Sequence, residues 1–288
     1  MRTVLVTGSH GQLGRHLLAR AAVAGATVRG AGSSEVDVTD PASVAAAVEP
    51  GSVVINCAAY TAVDAAESDE DAAAAVNATG PGVLAEVCAE VGAHLIHVST
   101  DYVFAGDGTE PYRVDSPTGP RTVYGRTKLA GERAVLERLP SAHVVRTAWV
   151  YTGTGNDFVA TMRRLERERD SVRVVDDQLG CPTYARDLAD GLLELAARTG
   201  GDAVAGGVLH ATNAGQATWY DLARAVFEQA GADPGRVHPC GSDEFVRPAP
   251  RPAYSVLDGS AWAAAGLTPL RHWREGLQAA FEALDPRG

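Results

Sequence analysis

Cysteine is scarce and scattered, with four residues in 288, at Cys57, Cys88, Cys181 and Cys240, and no C-x-x-C spacing. That excludes a disulfide framework and a thiolate zinc site, and it fits reduced thiols in the cytoplasm. Long apolar runs are missing too. Although 45% of the residues are hydrophobic, glycine or polar residues break the runs well short of the ~20 needed to span a bilayer, so no membrane partner is expected. The first β-rich run, "TVLVTG", begins at Thr3 without the pattern of a secretory leader, and a cytoplasmic location is the expectation. Positive charge is in deficit. A formal net charge of −11 argues against a nucleic-acid partner, while an anionic ligand can still be held by a few arginines or by helix N-termini. Internal repeats, heptads and low-complexity linkers are absent as well.

What is present is an alternation. Strand patterns at Thr3–Gly8, "ATVRGA", Ser52–Ala58, Ala93–Thr100 and Ala142–Tyr151 alternate with helical patterns from about Gln12 to Ala24, from Ala65 to Glu90, and from Val123 to a stop at Pro140. Such alternation predicts right-handed βαβ units and a parallel sheet covered on both faces. Beyond Tyr151 the pattern turns irregular: "VRVVDDQ", a helix near Arg186–Arg198, "GVLHATN", a helix from Trp219 to Gly231, and a Pro-rich "RPAPRPAYSVLD" before two last helices. The expected architecture is α/β. A Rossmann-type doubly wound parallel sheet occupies 1–150, a smaller α/β substrate-binding domain takes most of 151–288, and part of 172–200 packs on the first domain.

The first strand runs into Gly8-Ser9-His10-Gly11-Gln12-Leu13-Gly14, a G-x-x-G-x-x-G. Glycines let such a turn tighten and let the backbone approach a pyrophosphate, which then lies on the helix N-terminus. Placed between a first strand and an amphipathic helix, the motif predicts a dinucleotide site. NAD-selective sites carry an acid at the end of the second strand. Here Val28 to Ser34 contains none before Glu35, and Arg29, Ser33 and Ser34 suit a 2′-phosphate, so NADPH is favoured, with NADH as the alternative. Ligands bind at the carboxyl ends of parallel strands. Asp37 and Val38 therefore fall where an adenine edge is read, and Ala58, Ala59 and Tyr60 fall beside the cofactor.

The fourth strand ends in Ser99-Thr100-Asp101, and "VYGRTK" sets Tyr124 and Lys128 four residues apart on one helix face. A hydroxyl, a phenol and an ammonium at one site suit carbonyl reduction, in which hydride reaches the carbonyl carbon and an acid protonates the forming alkoxide. The Lys128 ammonium is expected to lower the Tyr124 phenol from its ordinary pKa of about 10. Lys128 also suits the nicotinamide ribose, and Thr100 the orientation of the substrate oxygen. Each feature has a plainer reading beside it. The Tyr–Lys pair suits a solvated helix face, Thr100 and Asp101 suit loop caps, Trp149 suits core packing, and Arg247 and Arg251 suit a solvated loop.

Taken in order from residue 7 to residue 258, "GSHGQLG", "INCAAYTAVDAAES", "HVSTDYVFAGDG", "VYGRTKLAGE", "RTAWVY", "VVDDQLGCPTYARDLA" and "RPAYSVLD" resemble the extended short-chain dehydrogenase/reductases. More narrowly, they resemble the dTDP-4-dehydrorhamnose reductase family. The resemblance implies an enzyme that uses NAD(P)H to reduce the 4-keto group of a dTDP-4-keto-6-deoxyhexose, for dTDP-rhamnose or another deoxysugar. It implies Thr100, Tyr124 and Lys128 as the catalytic set. Gly11, Gln12, Leu13, Asp37, Val38, Ala58, Ala59, Tyr60 and Val98 fall on its cofactor positions. Thr100, Asp101, Tyr124 and Trp149 fall at the sugar end, with Arg247 and Arg251 as candidates for the diphosphate.

The chain also departs from the family. Ser33 stands near where many relatives carry an arginine. His16 and Arg186 stand where some relatives bridge a dimer through magnesium on glutamates. Arginine cannot ligate a metal and a hard cation wants carboxylates, so the expectation is no metal and a monomer or weak homodimer. Tyr102 replaces the glutamate of related sugar-nucleotide dehydratases, which argues against dehydration. The alternatives are a non-catalytic NADP-binding regulatory subunit and a nucleotide-sugar epimerase.

Overall fold

The computed structural model describes residues 3–24, 27–199 and 204–284. Ala26, where the expected second strand begins, lies outside them, as do residues 285–288 at the end of the expected second domain. In chain order the strands are β1 (Val4–Thr7), β2 (Val28–Ala31), β3 (Val53–Asn56), β4 (His94–Thr100), β5 (His143–Thr147), β6 (Val150–Tyr151), β7 (Val172–Val175), β8 (Leu179–Gly180), β9 (Thr183–Tyr184), β10 (Gly207–His210), β11 (Ala217–Thr218) and β12 (Val237–Cys240). The helices are α1 (Gln12–Ala24), α2 (Pro41–Ala47), α3 (Val63–Ala66), α4 (Glu70–Ala74), α5 (Gly80–Val91), α6 (Val123–Arg138), α7 (Phe158–Glu168), α8 (Ala185–Arg198), α9 (Trp219–Gln229), α10 (Ser260–Ala264) and α11 (Trp273–Leu284).

Six strands make one parallel sheet in the order β2-β1-β3-β4-β5-β10. The central strands β1 and β3 are fully buried Val/Ile/Leu-rich runs, as a sheet covered on both faces requires, while the edge strand β2 is only partly buried. On one face Leu13 and Leu17 of α1 pack with Leu188, Leu192 and Leu195 of α8 and with Trp262 of α10. On the other, Val44 of α2, Leu84 of α5 and Val135 of α6 close over Leu5, Val54 and Leu95. The chain leaves β1 for β2 on one side and continues through β3 on the other. The switch point, where such sheets bind ligands, lies between β1 and β3. Beyond residue 150 the chain contributes β10 to this sheet and α8 to its cover. It also builds a second core from Tyr151, Val159, Val172, Leu222, Phe227, Trp273 and Leu277.

Two expected elements are broken. The Ala-rich stretch is not one helix: α3 and α4 are short, and a π turn at Ala75–Thr79 joins α4 to α5. The turn delivers Asn77 inward, where its Oδ1 accepts from Tyr60 N–H at 2.8 Å and its Nδ2 donates to Thr127 Oγ1 at 3.2 Å. Helix α6 passes so close that a Cβ on Gly131 would lie 2.1 Å from the Asn77 carbonyl oxygen, which accounts for a glycine inside a helix that it otherwise weakens. The expected strand Ala142–Tyr151 divides into β5 and β6, because Trp149 takes a left-handed φ of 47°. Helices α2 and α7, absent from the expectation, start on carboxylate caps at Asp40 and Asp157.

One buried ion pair seats α6. Arg146 of β5 donates through Nε and Nη2 to Glu132 of α6 at 2.9 and 2.7 Å, and Ser99 of β4 donates to the same carboxylate at 2.6 Å. Both charged side chains are about 5% exposed or less. Arg146→Met leaves a bare carboxylate in the core and is expected to cost about 3–5 kcal/mol in urea unfolding. The double variant Arg146→Met/Glu132→Leu should recover most of that loss. A single variant as stable as wild type would show that the pair carries no constraint.

Candidate active site

A cleft of about 1480 Å³ opens over the switch point, between the sheet and the second core. Its wall contains Gly8, Gly11, Gln12, Leu13, Gly14, Asp37, Val38, Ala58, Ala59, Tyr60, Val98, Thr100, Asp101, Tyr124, Lys128, Trp149, Arg247 and Arg251, but not Arg29 or Ser34, which were expected to suit a 2′-phosphate.

At one end lies the glycine turn. Gly8 has a φ of +66°, and a Cβ there would lie 2.6 Å from the Ala58 nitrogen, so the turn and the end of β3 meet backbone to backbone. Helix α1 opens onto the cleft with no acidic residue in its first turn. Its free N–H groups and dipole favour an anion. These residues fit the pyrophosphate of a dinucleotide. The second-strand region differs from expectation. Arg29 donates to the Ala47 carbonyl instead of turning to the cleft. Ser33 lines the wall with His10, while Glu35 accepts from Gly32 N–H at 2.6 Å. The Asp37 carboxylate is engaged by the Thr39 hydroxyl and N–H, which hold it below the usual carboxylate range.

The chemistry-bearing groups share the wall at the end of β4. Thr100 Oγ1 donates to Asp101 Oδ1 at 2.9 Å and accepts from Tyr102 N–H at 3.2 Å. Asp101 is buried, its Oδ2 has no hydrogen-bond partner among the described residues, and burial pushes the carboxyl up to about 6 against the lowering influence of the Ser255 and Thr100 hydroxyls. Thr122 caps α6 by accepting from Gly125 N–H at 3.0 Å, which sets Tyr124 in the first turn. Burial pushes the Tyr124 phenol up to about 12, against a lowering influence from Thr100. The lowering expected from Lys128 is not what the geometry delivers. Lys128 Nζ donates to the Val98 carbonyl at 2.7 Å and lies 3.4 Å from His97 Nε2. Burial brings this lysine down to about 8, with Glu132 and Cys57 opposing. Tyr124 is thus an acid that keeps its proton through neutral pH.

Sequence reasoning passed over His97 and Asn56 behind this wall. One signal was available: Lys128 is the single lysine among 25 Lys and Arg residues. Arginine never gives up its proton, so a lone lysine in a buried site marks a place where the proton count matters.

On the opposite side Trp149 is already stacked, its ring 3.5 Å from that of Trp219 and within 4° of parallel. A Cβ on Gly180 would lie 2.5 Å from the Trp149 indole, so only glycine fits behind it. Trp219 Nε1 donates to Gln178 at 3.1 Å, and Phe158 packs 4.6 Å from Trp219. The aromatic wall therefore combines three distant parts of the chain, and a left-handed non-glycine residue at its centre is characteristic of functional sites. At the rim Arg251 forms a two-pronged pair with Asp64 of α3, 2.8 Å on each prong, and Arg247 stands 3.7 Å from the same carboxylate. The two arginines expected to meet a diphosphate thus share a counter-ion, and Arg251 holds Asp64 below the usual range.

Residues 1–285 match the family model described as the RmlD substrate binding domain. The chain belongs to that family. Within it, the chain is 58% identical over 286 residues to the dTDP-4-dehydrorhamnose reductase of Mycobacterium tuberculosis, covering 97% of this chain and 92% of the relative. It is 52% identical to a probable dTDP-4,6-dihydroxy-2-methyloxan-3-one 4-ketoreductase of Streptomyces antibioticus, covering 96% of this chain and 94% of that one. A solved dTDP-4-dehydrorhamnose reductase of Bacillus anthracis, in complex with NADP, superposes with a TM-score of 0.92 at 35% identity over 98% of this chain and 100% of that one. Family membership and fold thus agree with the doubly wound α/β sheet described above.

Asp101 offers a test of the site's electrostatics. Burial raises it from 3.8 to about 6, so the folded protein holds this proton more tightly than the unfolded chain. Its contribution to stability is full below pH 3.8 and lost as pH rises through about 6. Relative to Asp101→Asn, the wild type should weaken by about 3 kcal/mol across that window in urea unfolding. Parallel pH profiles for the two proteins would show an ordinary carboxyl.

Proposed function

We propose that the protein is an NADPH-dependent oxidoreductase that reduces the 4-keto group of a dTDP-4-keto-6-deoxyhexose, in the manner of the dTDP-4-dehydrorhamnose reductases it is similar to. The observation that carries this reading is the arrival of Thr100, Tyr124 and Lys128 on one wall of the cleft that begins at the glycine turn. Residues 1–150, with the returning α8 and β10, form the nucleotide-binding part, and most of 151–288 forms the sugar side. Gly8, Gly11, Gln12, Leu13 and Gly14 would hold the pyrophosphate; Asp37 and Val38 lie toward the adenine, and Ala58, Ala59, Tyr60 and Val98 toward the nicotinamide half.

When bound, NADPH supplies the hydride. Tyr124 would give its phenolic proton to the C4 oxygen as the carbonyl is reduced. Thr100 orients the oxygen, and Asp101 offers its unpartnered Oδ2 to a sugar hydroxyl. Lys128 holds the ribose and answers the charge left on Tyr124. Arg251 and Arg247, released in part from Asp64, meet the diphosphate, and Trp149 borders the sugar.

Tyr124→Phe should lower turnover at least ~100-fold, the low end for loss of a general acid, with NADPH affinity by titration unchanged. Turnover at the wild-type level would remove Tyr124 from this role. Steady consumption of NADPH, one per sugar reduced, separates a reductase from an epimerase that keeps its cofactor and from a regulatory subunit that turns over nothing.

A further inference from the structure

Behind the catalytic wall, a line of hydrogen bonds dictates which atom carries which proton. Register places Thr7, Asn56 and His97 side by side on β1, β3 and β4. Ala58 N–H donates to Asn56 Oδ1 at 3.0 Å, and Thr7 Oγ1 donates to the same oxygen at 2.7 Å. A backbone N–H can only donate, so the amide oxygen of Asn56 is fixed on that side and its nitrogen faces His97 Nδ1 at 3.0 Å. An amide nitrogen also only donates. Nδ1 therefore carries the lone pair, and the neutral ring carries its proton on Nε2.

That Nε2 lies 3.4 Å from Lys128 Nζ. An ammonium facing an N–H sets two donors against each other. An amine in the same place accepts from Nε2–H and still donates to the Val98 carbonyl at 2.7 Å. The remaining neighbours do not remove the conflict. Glu132, one turn along α6, favours the ammonium but is committed to Arg146 and Ser99. Cys57 is a half-buried thiol pushed up to about 12 by desolvation, and the Tyr124 phenol is protonated. His97 is held well below the ordinary histidine range by burial and by Lys128, so the ring opposing Lys128 is neutral.

We propose that Asn56 and His97 are a positioning pair that sets the proton count of Lys128, with Asn56 fixing the Nε2–H tautomer and that N–H favouring the amine in the ligand-free protein. The consequence for catalysis rests on the reductase reading. A lysine with a lowered midpoint gives its proton more readily to the Tyr124 phenolate once the sugar oxygen has taken the phenol's own, and the amine left behind is the form that Nε2–H favours. An arginine, permanently charged, would face His97 Nε2–H at every stage.

The single lysine makes the test direct. In ligand-free protein labelled with 13C and 15N lysine, one side-chain resonance titrates without ambiguity, and its midpoint should be about 8. Asn56→Asp presents only acceptor oxygens to Nδ1, turns the ring to its Nδ1–H tautomer and gives Lys128 a lone pair to donate to. His97→Gln can turn its amide oxygen to Lys128. Each variant, folded by circular dichroism, should raise the midpoint by about one unit or more, a ~10-fold gain in proton affinity. The tautomer is read separately in wild type by 15N-histidine NMR, which should show His97 protonated on Nε2 and bare on Nδ1. A wild-type ring protonated on Nδ1, a wild-type lysine at its ordinary value, or unmoved midpoints in folded variants would each overturn the proposal. These readings use no substrate, so failure of the reductase assay and failure of this proposal are separate results.

Discussion

The site depends on how α6 sits on the sheet, and one buried interaction decides it. Glu132 accepts both nitrogens of Arg146 from β5 and the hydroxyl of Ser99 from β4. Tyr124, Lys128 and Glu132 are spaced four apart, so they share a helix face, and fixing the last fixes the other two. Ser99 immediately precedes Thr100, so the same contact sets the strand end that Tyr124 must meet. Buried ion pairs contribute little net stability against an apolar replacement. The effect here is one of register. Any other seating of α6 leaves a carboxylate unsatisfied among apolar residues, and the glycine at position 131 lets the helix approach Asn77 closely enough for this seating to be reached.

The same desolvation acts oppositely on the two groups that this face presents. Burial raises Tyr124 and lowers Lys128, because in each case it disfavours the charged form. The result is an acid that keeps its proton until a carbonyl oxygen calls for it, beside a lysine whose charge is not fixed in advance. Lys128 does not make the phenol acidic in the resting protein; its hydrogen bonds run to Val98 and toward His97. On the far side of the cleft Trp219 and Phe158 pack on the second core, while Trp149 packs against the cluster that contains Leu129 of α6 and Arg251 pairs with Asp64 of α3, so the two sides of the cleft are tied together.

Much of this was legible in the chain. Short apolar strand runs alternating with helical stretches give the parallel sheet, and glycines between a first strand and a helix give the turn under the cleft. Tyr124 and Lys128 are visible because helical spacing makes four residues one face. What stayed hidden depends on contacts between distant segments. Helix α2 is short and Ala-rich, with little periodicity to read. The π turn at Ala75–Thr79 is set by Asn77 binding Tyr60 and Thr127, which no local pattern announces. Trp149 leaves strand conformation because Trp219 and Gly180 hold its ring from elsewhere. Arg29 was nominated for a phosphate by its place in β2, yet the Ala47 carbonyl takes it. The tautomer of His97 follows from the Ala58 N–H, a backbone constraint invisible in a string of residues.

The most direct measurement of the central claim follows the hydride. Reaction of the purified protein with a dTDP-4-keto-6-deoxyhexose and NADPH carrying deuterium on the transferred face of the nicotinamide should yield a sugar deuterated at C4, read by NMR of the product, with one NADPH consumed per sugar. Recovery of a keto sugar without C4 deuterium, or of a C4 product formed with no loss of NADPH, would contradict the account.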